Sequence, residues 1–128
     1  MNLFLIAIGG ALGSITRYLS CEAISGMSIF SSRFPWGVFL VNIIGSLLAG
    51  ILYFFVIRNF DSFDPRLKNF LLAGFLGGFT TFSAFSLDFF RLTQAGQYSQ
   101  AFTYAIASVV LAISALFFGY YSSKLIFA

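Results

Sequence analysis

No segment constrains the architecture more than residues 74–88, which read GFLGGFTTFSAFSLD. They lie in a charge-free run, residues 69–87, that is nearly as long as the ~20 apolar residues a membrane-spanning helix needs. Two adjacent glycines and two adjacent threonines fall at the middle of this run. Glycine weakens a helix, and β-branched threonine does not repair it. We therefore predict a spanning helix that is broken at mid-span, near residues 77–81.

The rest of the chain is equally apolar. Hydrophobic residues make up 59% of the 128 residues and charged residues 9%, whereas soluble domains have about 25% charged residues. Long apolar stretches with few charges predict four spanning helices, at about residues 2–22, 36–57, 67–92 and 98–124, of which the first carries Arg17 within it. We find no second domain, so residues 1–128 are predicted to form a single all-α membrane domain.

The composition excludes several classes of protein. There is no histidine and only one cysteine, Cys21, which rules out an internal disulfide, a Cys/His zinc site and a histidine-based catalytic triad. The net charge is +3, but the basic residues are scattered and form no patch suited to nucleic acid. The N-terminus has no basic region before its apolar stretch, so we expect the first helix to be inserted uncleaved.

The distribution of lysine and arginine gives little orientation bias. With four spans, both termini and the middle loop lie on one side of the membrane. That side carries Arg58, Arg66, Lys68 and Lys124. The other side carries Arg33 and Arg91, and also Arg17 if its side chain extends to that surface. Such a balance leaves two interpretations open: orientation by subtler features, or dual topology, in which copies insert both ways.

Two polar residues interrupt the apolar helices, and each has two interpretations. Arg17 either extends to the lipid headgroups or draws anions into a vestibule. Asn42 either makes a hydrogen bond between helices or lines a pore as a donor. The small residues before Arg17, such as Gly9 and Gly13 at a spacing of four, predict close helix packing.

The third helix presents two neighbouring faces. One is a stripe of rings, Phe79, Phe82, Phe85 and Phe89, and the other carries hydroxyls, Thr80, Ser83 and Ser86. Phenylalanine stripes usually face lipid or the core. Beside hydroxyls, however, the positive edges of the rings would suit a small, strongly hydrated anion. Asp88 is interpreted as a carboxylate at the interface.

The fourth helix adds four polar residues: Thr103, Tyr104, Ser108 and Ser114. The last three could nearly share one face. On their own, they are ordinary interhelical hydrogen-bonding groups.

Three motifs together resemble a known family. They are GGALGSITRY at residues 9–18, VNIIGS at residues 41–46 and GGFTTFSAFS at residues 77–86. In this order, and in a chain with four predicted spans, they resemble the Fluc (CrcB) family of small bacterial fluoride channels.

The resemblance implies an antiparallel homodimer in the inner membrane, two fluoride pores per dimer and passive export of fluoride. It implies pore roles for Phe82, Phe85, Asn42, Thr81, Ser83, Ser86, Tyr104, Ser108 and Arg17, the last at the vestibule. It also implies a sodium ion at the dimer centre, bound by the backbone carbonyls of Gly77 and Thr80. The expected partners are a second copy, fluoride and membrane lipid.

Two departures and two competing functions stand beside the resemblance. Ala84 occurs where some relatives have a hydroxyl, and Asp88 occurs where glutamate is common. A small proton-coupled drug or cation exporter also has four helices, but it needs an intramembrane carboxylate. A non-transporting assembly protein would explain the helices without explaining the clustered polar residues. No base, nucleophile or metal set indicates an enzyme.

Overall fold

A computed structural model describes residues 2–27, 34–59 and 61–127. Four helical stretches of it are long and apolar enough to cross a membrane: Leu3–Ser25, Trp36–Arg58, Pro65–Gln94 and Tyr98–Phe127. The predicted four-helix, all-α architecture is thereby confirmed. Three helices are single α-helices, α1 (Asn2–Ser25), α2 (Trp36–Arg58) and α6 (Tyr98–Phe127).

The third span consists of several pieces. It begins as α3 (Pro65–Lys68), widens into a π-helical segment (Asn69–Leu76), returns to a short α4 (Gly77–Phe79) and resumes as α5 (Phe82–Gln94). Thr80 and Thr81, between α4 and α5, have extended backbone conformations. The span therefore changes its helical geometry at residues 69 and 77 and is interrupted at residues 80 and 81.

Local sequence determines where the third span begins and ends. The Asp64 side chain accepts a hydrogen bond from the Arg66 N–H at 2.9 Å, and Pro65 occupies the first helical position. Both features are typical of a helix start. At the other end Gly96 has φ 77°, a left-handed conformation that glycine adopts without strain. The turn after α5 is therefore fixed by glycine.

Several helix ends differ from the sequence-based bounds. α1 continues to Ser25 rather than about residue 22, and α6 continues to Phe127 rather than about residue 124. Neither extension contains glycine or proline, and α1 ends directly before Gly26. Arg33, which entered the charge balance between the two sides, lies outside the described residues.

Glycines bring the helices into backbone contact. α1 packs along the π-helical segment and α4, while α2 packs along α6. A Cβ on Gly9 would lie 2.6 Å from the Phe70 carbonyl oxygen, and one on Gly50 would overlap the Leu116 carbonyl. The close packing that the small-residue spacing predicted is confirmed by these approaches.

Much of the apolar surface remains uncovered. The main buried cluster contains Phe39, Leu92, Ala101 and Tyr104. Large apolar side chains on the outside include Leu125, 87% exposed, and Phe118, 69% exposed. Exposed apolar area of this extent fits a protein whose surroundings are lipid or a partner subunit.

Candidate functional site

The interruption between α4 and α5 is capped on both sides by threonine. The Thr80 N–H and Oγ1 both donate to the Leu76 carbonyl at 2.9 Å, which closes the end of α4. The Thr81 Oγ1 accepts from the Ala84 N–H at 3.3 Å and thereby caps the start of α5. Threonine at these positions thus satisfies backbone groups that a helix end would otherwise leave without partners.

Asn42 of α2 holds Thr81, the second of the two extended residues. Its Nδ2 donates to the Thr81 carbonyl at 3.2 Å, and its Oδ1 accepts from the Thr81 N–H at 3.0 Å. One amide side chain therefore pairs with both backbone groups of one residue, as a neighbouring β-strand would. The interhelical interpretation of Asn42 is confirmed, and the partner is a backbone.

Gly45, one helical turn beyond Asn42, provides the space for this arrangement. A Cβ on Gly45 would overlap the Thr80 methyl group and lie 3.2 Å from the Phe79 ring. The interrupted backbone can therefore lie against α2 only because this position lacks a side chain.

The interruption changes the hydrogen bonding of two carbonyls. In a continuous helix the N–H groups of Thr81 and Ala84 would bond the carbonyls of Gly77 and Thr80. Here those N–H groups donate to the Asn42 Oδ1 and the Thr81 Oγ1. The carbonyls of Gly77 and Thr80 therefore lack the backbone N–H partners that a continuous helix would give them.

An open groove of about 240 Å³ runs past the interruption. It is lined by residues of α2, of the third span and of α6: Asn42, Ser46, Thr80, Thr81, Phe82, Phe85, Ser108, Val109 and Ala112. None of these carries a charge. The groove therefore combines amide and hydroxyl groups with two aromatic rings in neutral surroundings.

The rings and hydroxyls beside the groove form a continuous series. The Phe82 and Phe85 ring centroids lie 5.5 Å apart, and the Phe85 and Tyr104 centroids lie 5.1 Å apart. Phe82 is 77% exposed, whereas Tyr104 is fully buried. Among the described residues, the buried hydroxyl of Ser108 has no hydrogen-bond partner, whereas the Tyr104 hydroxyl faces the Asp88 carboxylate. Unpaired buried hydroxyls cost about 1–3 kcal/mol each unless another group bonds them.

The structure brings some of the predicted site residues together and not others. The groove contains Asn42, Thr81, Phe82, Phe85 and Ser108 from the predicted pore set. Four predicted pore residues are not among its lining: Arg17, Ser83, Ser86 and Tyr104. Of these, Tyr104 contacts the Phe85 ring and Ser83 has its Oγ 3.1 Å from the Thr81 Oγ1.

Arg17 lies beside the interruption on the side of α1. Its Nε donates to the Gly78 carbonyl at 3.2 Å. The guanidinium thus contacts the backbone of α4, an arrangement that neither interpretation of Arg17 included.

Ser46, Val109 and Ala112 were missing from the predicted site. Ser46 follows Asn42 by four residues, and this spacing could have revealed it. Similarly, Ala112 follows Ser108 by four residues, whereas Ser114 follows by six. The suggestion that Ser114 nearly shares the face of Ser108 is wrong, because Ser114 is exposed and Ala112 lines the groove.

Asp88 lies in a second groove of about 290 Å³, with Pro35, Arg91, Leu92 and Ala95. Its carboxylate is 3.7 Å from an Arg91 guanidinium nitrogen, and its side chain is 16% exposed. The carboxylate is therefore largely buried and paired with a cation within α5.

Comparison with known proteins gives a consistent result. The family described as "CrcB-like protein, Camphor Resistance (CrcB)" matches residues 4–120. The chain is 41% identical over 127 residues to a protein of Caulobacter sp. (strain K31), covering 99% of this chain and 98% of that one. It is 43% identical over 119 residues to one of Agrobacterium fabrum, covering 93% of each.

A third relative, from Phocaeicola vulgatus, is 42% identical over 123 residues, covering 96% of this chain and 98% of that protein. All three relatives bear the name "Fluoride-specific ion channel FluC". Both the family match and these relatives extend over nearly the whole sequence, including the broken third span. The chain therefore belongs to the CrcB family.

Proposed function

We propose that this chain is the subunit of a fluoride-selective ion channel that exports fluoride passively across the bacterial inner membrane. The observation that carries the proposal is the uncharged groove at the interrupted helix, with its amide, hydroxyl and aromatic lining. The name carried by the relatives, "Fluoride-specific ion channel FluC", supports the same activity.

The donors beside the groove fit an anion that holds water tightly. A pore must replace the hydration shell of the ion with groups of its own. An asparagine Nδ2 carries two hydrogens, and one of them bonds the Thr81 carbonyl. The other hydrogen of Asn42 and the hydroxyl of Ser108 are the donors we assign to fluoride.

The two phenylalanine rings complete the proposed pathway. Ring edges are electropositive, and the Phe82 and Phe85 planes are inclined by 47° to each other. An anion passing between ring edges and hydroxyl donors meets weak partners on all sides, so it binds without being trapped. A cation would be repelled by the ring edges and by the Asn42 N–H, although hydroxyl oxygens could accept it.

A second copy of the chain is needed to close the pathway. The groove is open, and the Phe82 ring beside it is 77% exposed. We propose an antiparallel homodimer in which the third spans of two copies meet, the interruptions lie at mid-membrane and each dimer has two pores. The near balance of basic residues on the two sides favours insertion in both orientations.

A monovalent cation, sodium, is proposed at the centre of that dimer. Within the described residues, no three His, Cys, Asp or Glu side chains come together, so a cation in this region depends on backbone oxygens. The carbonyls of Gly77 and Thr80, whose helical partners are diverted, are neutral oxygen ligands of the required kind. When bound, sodium would supply positive potential near the pathway of a passing anion.

The surroundings of the two carboxylates that could exchange protons argue against a proton-coupled exporter. Asp88 is paired with Arg91, and Glu22 is exposed near the end of α1. Neither is poised in the uncharged groove to exchange a proton for cargo. A non-transporting assembly protein would have no need for the unpaired buried hydroxyl of Ser108 beside the groove.

Efflux from proteoliposomes tests the proposal. Vesicles loaded with fluoride or with chloride are diluted into an impermeant anion, and a potassium ionophore compensates the charge. We expect rapid fluoride release and no chloride release above that of protein-free vesicles. Equal release of the two anions, or release of neither, would refute the proposed function.

A further inference from the structure

The Arg17 guanidinium contacts the broken span beside the diverted carbonyls. Its Nε–H donates to the Gly78 carbonyl at 3.2 Å, and the bond is partly buried. In a continuous helix this carbonyl would accept from the Phe82 N–H, but Phe82 is the first residue of α5. Arg17 therefore supplies a donor to a backbone oxygen that the interruption has separated from its helical partner.

Close packing of α1 makes this contact possible. A Cβ on Gly78 would overlap the Gly10 carbonyl, and a Cβ on Gly13 would lie 2.9 Å from the Phe79 backbone nitrogen. Because helical side chains point back over the preceding turn, Arg17 covers the region around Gly13. The guanidinium consequently reaches α4 where the two backbones approach.

We propose that Arg17 is a positioning residue that fixes the interrupted backbone through its Nε–H. Asn42 holds residue 81 from α2, and Arg17 holds residue 78 from α1. The Thr80 carbonyl therefore lies between two fixed residues, and the Gly77 carbonyl lies directly before the first of them. The bond also gives the Gly78 carbonyl a donor within the chain. We therefore assign only the carbonyls of Gly77 and Thr80 to sodium. The consequence for sodium rests on the proposed function, whereas the positioning role does not.

Side-chain chemistry provides a matched set of variants. In glutamine, Nε2 is separated from Cα by as many bonds as Nε is in arginine, so Arg17→Gln keeps the donor and removes the charge. Arg17→Lys places a methylene at that position and keeps the charge one atom further out. Arg17→Met removes both donor and charge at similar length.

Hydrogen exchange of the purified protein tests the positioning role. The reporters are the backbone amides of residues 80, 81 and 84, which donate at the interruption to the Leu76 carbonyl, the Asn42 Oδ1 and the Thr81 Oγ1. Loss of one charge-assisted hydrogen bond should speed their exchange about tenfold in Arg17→Met and Arg17→Lys. In Arg17→Gln the exchange should stay within about threefold of the unmodified protein, while amides within α6 remain unchanged in every variant.

Two results would overturn the proposal. One is faster exchange in Arg17→Gln with normal exchange in Arg17→Lys, because charge rather than the donor would then matter. The other is unchanged exchange in all three variants. If Arg17→Met does not fold, the comparison of glutamine with lysine still decides between donor and charge.

Fluoride efflux at varied sodium concentration gives a second measurement. We expect the sodium concentration for half-maximal flux to rise about tenfold in Arg17→Lys and to change little in Arg17→Gln. A rise in Arg17→Gln alone would contradict the proposal. If flux through the unmodified protein is independent of sodium, the proposed cation is refuted, and hydrogen exchange alone decides the role of Arg17.

Discussion

Asn42 combines a structural contact with a place in the lining of the groove. Both of its amide atoms bond the backbone of Thr81, and the residue also lines the groove. The two interpretations drawn from the sequence are therefore compatible. The sequence identified Asn42 because a polar residue in an apolar helix must find a partner. It could not identify the partner, since Thr81 lies 39 residues away and only the packing of α2 on the third span brings them together.

Replacing Asn42 with aspartate should strongly impair fluoride flux. Aspartate retains an acceptor for the Thr81 N–H but sets a carboxylate against the Thr81 carbonyl and the anion. Two like charges ~4 Å apart repel by about 4 kcal/mol at an effective dielectric constant of ~20, so we expect a loss of roughly 100-fold or more. Proteoliposome efflux measures it. The matched control is Asn59→Asp at the exposed end of α2, and equal flux in both variants would contradict the pore role of Asn42.

Replacing either groove phenylalanine with isoleucine should lower flux and leave the protein folded. Isoleucine retains apolar bulk but has no electropositive edge, so we expect a loss of about three- to tenfold for Phe82→Ile and for Phe85→Ile. Because Phe82 is 77% exposed, its replacement should cost little stability. The control is Phe90→Ile, an exposed ring of α5 outside the groove. Flux as high in the two test variants as in the control would show that the rings only pack.

At the scale of the helix, the third span combines predicted and unpredicted features. Its glycine and threonine composition indicated a weak point near residues 77–81, and the extended conformations of Thr80 and Thr81 lie within that range. The π-helical segment Asn69–Leu76 had no counterpart in the prediction. Its residues are apolar almost throughout, so hydrophobic periodicity cannot distinguish a wider helix from an α-helix. A π-helical turn also changes which side chains share a face.

The two adjacent glycines of this span should respond oppositely to alanine. A Cβ on Gly78 would overlap the Gly10 carbonyl, whereas a Cβ on Gly77 would meet only the Leu72 carbonyl, at 3.8 Å. Gly77 also has helical angles, φ −62° and ψ −36°. We expect Gly78→Ala to destabilise by about 1–3 kcal/mol, as overpacking does, and Gly77→Ala to be neutral or stabilising by up to ~1 kcal/mol.

Thermal unfolding of both glycine variants in detergent measures this difference. The structure assigns the expected loss of stability to Gly78, whose Cβ would clash with α1. A Gly77→Ala variant as unstable as Gly78→Ala would contradict that assignment.

At the scale of the whole molecule, four spans and an open groove leave room for the second copy that we propose. The number of spans followed from the long apolar stretches of the sequence, because a helix satisfies its own backbone groups in lipid. The lining of the groove could not be read from sequence, since it combines α2, the third span and α6. The exposed apolar surface and the exposed Phe82 ring are the features that an antiparallel second copy would cover.

Adding positive charge to one loop should trap a single orientation. Two or three lysines introduced between residues 59 and 64 would break the near balance of basic residues on the two sides. We expect a C-terminal reporter on unmodified protein to be found on both sides of the membrane, and on the lysine variant only on the cytoplasmic side. The matched control introduces the same number of glutamines. A reporter found on one side in the unmodified protein would contradict dual topology.

The reversal potential of a planar bilayer containing the purified protein tests the central claim most directly. With a tenfold fluoride gradient and an opposed chloride gradient, a fluoride-selective channel passes current that reverses at the fluoride equilibrium potential, about 59 mV from zero. That value would establish both selectivity and passive conduction through an open path. Reversal at the chloride potential, or fluoride transport without current, would contradict the account.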